Sequence, residues 1–121
     1  NAVDDILNQL IEDRFVSNER FSEAYTRGKF NVKRWGKVKI RHGLKMHKIS
    51  EDLITKAFLQ IDADEYTAAL EKVIQKKLPE SIKELTNQER YELKGILYRT
   101  AVQKGYESDL IFSVLDQIFK E

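Results

Sequence analysis

Cysteine is absent from this chain of 121 residues, which also has a single proline and only five glycines. Without cysteine there can be no disulfide, no thiolate nucleophile and no zinc finger, which is compatible with a reducing cytoplasm. Scarce proline and glycine leave few places where a helix must stop. No apolar run approaches the ~18 residues of a membrane span, and no signal peptide opens the chain. Gly-rich phosphate-binding motifs and nucleophile constellations are missing too, so neither catalytic residues nor a cofactor are expected and binding is the default activity. The only methionine is Met46 and the first residue is Asn1, so the chain reads as a fragment whose natural start has been removed.

What is present is helical pattern. With 41% hydrophobic and 34% charged residues, the chain can bury one modest core or a few small linked ones. Its apolar residues recur with helical period, which predicts an all-α fold. Phe21, Ala24, Tyr25, Gly28 and Val32 form one stripe, after Ser17 or Asn18 as N-cap. Ile40, Gly43, Leu44 and His47 form a second, starting after Gly36. Ile54, Ala57, Phe58 and Ile61 form a third, opened by Ser50 with Glu51 and Asp52 in the favourable first turn.

The stripes then repeat, which predicts tandem three-helix repeats in an elongated, curved array. Tyr66, Ala69, Leu70 and Val73 match the first stripe at an offset of 45. Leu97 and Ala101 match Ile40 and Leu44 at 57, as Ile111, Val114, Leu115 and Ile118 match the third stripe. The difference places 12 extra residues around Leu78 to Arg90. Thr86 and Glu89 have capping-box spacing there, and Gly105 should stop the helix that follows. Residues 1–17 read as the closing helix of a truncated first repeat, 18–62 as a second, basic repeat and 63–121 as a third.

Charge is segregated along this array. Ala24 to Ser50 holds nine Lys or Arg, two His and no acid, whereas the rest holds twelve bases and all twenty acids. On a helix, Lys37, Arg41, Lys45 and Lys48 share one sector and make a cationic ridge. Arg27 and Lys29 from the preceding helix, and Lys33, Arg34 and Trp35 from the connection, should project toward the same ligand, for which an extended anion fits better than a small one. A passive solvated face is the bland alternative, but soluble surfaces normally intersperse both signs. Trp35 could stack on a base, although a packing plug between helices is the preferred reading. His42 and His47 point in different directions, which argues against a shared metal site, and His47 reads as a partly buried edge residue. Asp4, Asp5, Asp62 and Asp64 are explained by capping and the helix dipole.

The segments DRFVSNERFSEAYTRGKF, KRWGKVKIRHGLK and ISEDLITKAF resemble the second repeat of the RecX family, bacterial regulators of the RecA recombinase; the last repeat matches mainly by periodicity. The resemblance implies a non-enzymatic modulator in DNA repair, the SOS response and homologous recombination. It would bind RecA and single-stranded DNA or the RecA nucleoprotein filament, and limit filament growth, ATP hydrolysis and strand exchange, as a monomer. Arg27, Lys29, Lys33, Arg34, Trp35, Lys37, Arg41, Lys45 and Lys48 are the expected DNA- or RecA-binding residues. The alternative is a stand-alone nucleic-acid-binding module whose Lys37–Lys48 helix enters the major groove. That ridge offers no Asn or Gln to read adenine.

Overall fold

The computed structural model describes residues 1–120 and builds them from six helices: α1 (Ala2–Asn31), α2 (Lys37–Met46), α3 (Glu51–Phe58), α4 (Ala63–Gln75), α5 (Asn87–Lys104) and α6 (Ser108–Ile118). No described helix is long and apolar enough to cross a membrane. The fold is all-α, with α1–α3 packed on one another and α4–α6 packed on one another. Ile40, Leu44, Ile54, Leu70, Ile74, Leu97 and Ile111 are fully buried. Each such side chain stabilises by roughly 1.5–3 kcal/mol, whereas an exposed ion pair contributes about 0–1 kcal/mol. The apolar stripes therefore hold the fold, and charge decorates it.

One helix begins earlier than its sequence suggests. No cap forms at Ser17 or Asn18, because α1 runs through both without a break and is capped by Asn1, whose side chain accepts from the Asp4 backbone N–H at 3.0 Å. Neither glycine nor proline occurs before Gly28, so nothing interrupts it. Its first half carries exposed Val3, Ile6, Leu7 and Leu10, and burial begins only beyond residue 17.

The buried face of α1 is also rotated from the expected stripe. Ser22, Thr26 and Phe30 face the core, while Phe21 and Ala24 are exposed and Val32 is 80% exposed; a Cβ on Gly28 would meet nothing within 4 Å. The reason is α3. Small Ser22 and Thr26 allow it close approach, and polar contacts flank that packing: Glu19 pairs with Lys56, Arg27 Nη1 donates to Gln60 Oε1 at 3.0 Å, and Gln60 Nε2 donates to the Glu23 carbonyl at 3.4 Å. Phe21 and Tyr25 instead pack around His47, with ring centroids 4.9 and 5.8 Å away. His47 is thus an edge residue, but an exposed one at the C-cap of α2.

With the face corrected, the repeat becomes sharper. Ser22, Thr26 and Phe30 correspond to buried Tyr66, Leu70 and Ile74 at a constant offset of 44, one less than the sequence stripes indicate. The second and third helices keep the offset of 57: buried Ile40 and Leu44 match Leu97 and Ala101, and buried Ile54 and Ala57 match Ile111 and Val114. Even the turns correspond, since Lys48 (φ 61°) and Gly105 (φ 99°) are both left-handed and are followed by buried Ile49 and Tyr106. The extra residues of the second unit lengthen α5 at its start and the connection before it. Thr86 and Glu89 close the expected capping box there.

Candidate nucleic-acid interface

The two units meet where α2 begins. Gly36, its N-cap, has no side chain to satisfy the first N–H groups of the helix, and the second unit satisfies them instead. Gly36 N–H donates to the Lys104 carbonyl at 2.7 Å, Val38 N–H to the Gly105 carbonyl at 2.9 Å, and Lys37 N–H to the Tyr66 hydroxyl at 2.8 Å. Close approach requires both glycines. A Cβ on Gly36 would lie 2.3 Å from the Gly105 oxygen, and one on Gly105 would lie 2.3 Å from Lys39 Cβ.

Tyrosines complete the junction. The Tyr66 ring lies between those of Phe30 and Tyr106, at 5.9 and 5.1 Å, and its hydroxyl donates to Glu107. Burial, then that carboxylate, raise its ionisation well above the usual phenol range. Tyr106 donates to the Arg34 carbonyl at 2.8 Å, and burial pushes its phenol up to about 12. Both hydroxyls stay protonated as donors at neutral pH. Arg34, held at φ 55°, turns the chain from α1 into α2.

Around this junction the structure places the basic residues in two groups. On the outer side of α2, Arg41 and Lys45 both pair with Glu51, whose carboxyl is held below its ordinary range chiefly by the Lys45 hydrogen bond, then by Arg41. Arg41 also lies 5.4 Å over the Phe58 ring, and the Lys37 ammonium 4.7 Å over Tyr66. Arg27 is occupied by Gln60, and exposed Lys48 follows the end of α2 in its left-handed turn. This ridge exists, but the carboxylate of Glu51 sits within it.

The second group lies on the other side of α2. Trp35 is half-buried against the core, with the ammonium groups of Lys29 and Lys39 at 4.7 and 4.5 Å from its ring. It forms one wall of a cleft of about 360 Å³ whose cations are Lys33 and Arg34 from the first unit and Lys76, Lys77 and Lys104 from the second. No acid lines this cleft, and among the described residues none of the five cations pairs with a carboxylate. Lys104 donates to the Lys33 carbonyl at 3.1 Å and so bridges the units.

Lys39, Lys76, Lys77 and Lys104 do not stand out in the sequence, because Lys39 lies off the sector shared by Lys37, Arg41 and Lys45 and the other three lie outside the acid-free segment. The available signal was bases at successive helix C-termini, since Lys76 caps α4 and Lys104 closes α5. Among the described residues no cluster of His, Asp or Glu could hold a metal ion.

Comparison with known proteins agrees with this architecture. Residues 17–57, which hold the whole acid-free basic segment, match the family described as RecX, second three-helix domain. The chain is 28% identical over 117 residues to the regulatory protein RecX of Clostridium tetani, covering 97% of this chain and 52% of that protein. It is 26% identical over 115 residues to that of Geobacillus sp. (strain WCH70), covering 95% and 41%, and 30% identical over 122 residues to that of Bacillus cereus (strain AH820), covering 98% and 43%. No solved structure matches the chain. It spans about half, or less, of the length of these relatives. Residues 17–57 thus match a RecX second three-helix domain, and nearly the whole chain is similar to regulatory proteins RecX.

Proposed function

We propose that this chain is a non-enzymatic regulator that engages the RecA recombinase and its nucleoprotein filament on single-stranded DNA, limiting filament growth, ATP hydrolysis and strand exchange. In this reading residues 1–17, 18–62 and 63–121 are successive units of a monomer acting in the cytoplasm. The observation that carries it is the coincidence of the acid-free basic segment with the matched three-helix domain. Cations on two sides of α2 suit a ligand that extends past the protein, such as a strand inside a protein filament.

A stand-alone major-groove reader is disfavoured by the same geometry. Recognition helices present their N-terminal residues to base edges, but the N-terminus of α2 is bonded to Lys104 and Gly105. Capture of the chain by immobilised RecA without DNA, together with lowered ATP hydrolysis by RecA filaments, is the expected result. Binding to DNA alone, with RecA turnover unchanged at saturating concentration, would overturn the reading.

A further inference from the structure

We propose that the cleft between the two units is a phosphate-backbone site for single-stranded nucleic acid, shared by both units. The proposal rests on the reading of the chain as a DNA-contacting regulator and names a contact surface for the strand. Three features support it: a cavity of about 360 Å³, five cations without a carboxylate, and an indole wall. The volume lies within the ~300–1,000 Å³ range of ligand clefts.

Lysines near helix C-termini have an ordinary explanation, because they complement the negative ends of helix dipoles. Magnitudes decide against that as the whole account. Three helix ends at roughly half a charge each are outweighed by five full charges, and two of the carbonyls at the end of α5 already accept from Gly36 and Val38. A net positive cleft remains. The ridge on the outer side of α2 is weaker by comparison, since Glu51 already neutralises part of it.

A strand fits better than a small anion because the cations come from separate elements: Lys33 and Arg34 from the α1–α2 connection, Lys76 and Lys77 after α4, and Lys104 from α5. Successive phosphates can meet different cations, with sugars and bases against the indole edge. The site forms only when the units are docked, so an occupied cleft also holds them together.

The test is binding of a fluorescein-labelled oligothymidylate to the whole chain across a salt series. Lys76→Gln/Lys77→Gln should weaken binding about tenfold or more, and should reduce the slope of log affinity against log salt by ~0.7 for each phosphate contact removed. Arg34→Gly should weaken binding without loss of thermal stability, since glycine adopts the left-handed backbone that Arg34 holds at φ 55°. The exposed control Lys83→Gln should change neither quantity. Unchanged affinity and slope in both cleft variants would overturn the site, and equally strong competition by inorganic triphosphate would overturn a strand in favour of a small anion. If the parent chain binds no oligothymidylate yet inhibits RecA, the cleft proposal fails while the regulatory function stands. If it binds through the cleft and leaves RecA unaffected, the cleft proposal stands and the regulatory function fails.

Discussion

The two three-helix units are built on one frame but close their second helix differently. Lys48 and Gly105 occupy equivalent left-handed positions, each followed by a buried residue. Lys48 is exposed, so a side chain there meets only the modest cost of its backbone conformation. Gly105 lies against Gly36 and Lys39, where a side chain has no room. Glycine at position 105 therefore serves the contact between units more than the turn within one. The same contrast governs charge, since Arg41 and Lys45 of the first unit pair with Glu51 of that unit on one side of α2, while Lys33 and Arg34 lie beside cations of the second unit on the other.

Gly105→Ala should produce the largest effect. A Cβ there would fall 2.3 Å from Lys39 Cβ and 2.7 Å from the Lys39 nitrogen, so backbone must move. A loss of about 2–4 kcal/mol is expected in chemical denaturation, combining overpacking with backbone strain. An effect no larger than that of an ordinary surface substitution would show that the junction is loosely held in solution.

Trp35→Ala should cost about 1–2 kcal/mol, below the full aromatic truncation of ~3–5 kcal/mol, because the ring is only half-buried. It should also release Lys29 and Lys39 from the ring. Loss of oligothymidylate affinity with unchanged stability would make the indole a stacking surface; loss of stability with unchanged affinity would make it a plug alone.

Lys48→Gly should be neutral or stabilising by up to ~1 kcal/mol, the reverse in sign of Gly105→Ala, because it removes left-handed strain without opening a cavity. Thermal unfolding of the two variants side by side sharpens the comparison between units. Destabilisation by Lys48→Gly would mean that this lysine makes a stabilising contribution in solution.

Glu51→Gln should have the smallest effect on stability. With the Glu51 carboxyl held below its ordinary range, its ion-pair contribution is fully present above the usual carboxylate value and fades as pH falls through the depressed one. The variant should therefore flatten a small acid-side slope in a pH–stability profile. By freeing Arg41 and Lys45 it should also strengthen salt-dependent binding to single-stranded DNA. Weaker binding would show that the Glu51 pairing positions those cations for the ligand.

Much of the fold was legible because helical repetition is local. Ile40, Leu44, Ile54, Ala57, Leu97 and Ala101 were identifiable from spacing, and their burial follows. The capping box at Thr86 and Glu89 and the stop at Gly105 depend on neighbours in sequence and were equally readable. The face of α1 was not. Aromatic Phe21 outweighs Ser22 and Thr26 in any apolar pattern, yet close packing of α3 favours the small residues. That packing appears only once α3 lies against α1, where Lys56 and Gln60 add polar contacts to Glu19 and Arg27.

By itself, then, the sequence determined the all-α class, the tandem periodicity and the location of an acid-free basic segment, because each depends on residues a few positions apart. Tertiary structure alone decided how those charges divide. It brought Glu51 onto Arg41 and Lys45, and it brought Lys76, Lys77 and Lys104 to Lys33 and Arg34 across a joint that two glycines allow to close. Electrostatic neighbours are fixed by distance in space, and docking the two units sets those distances for residues far apart along the chain.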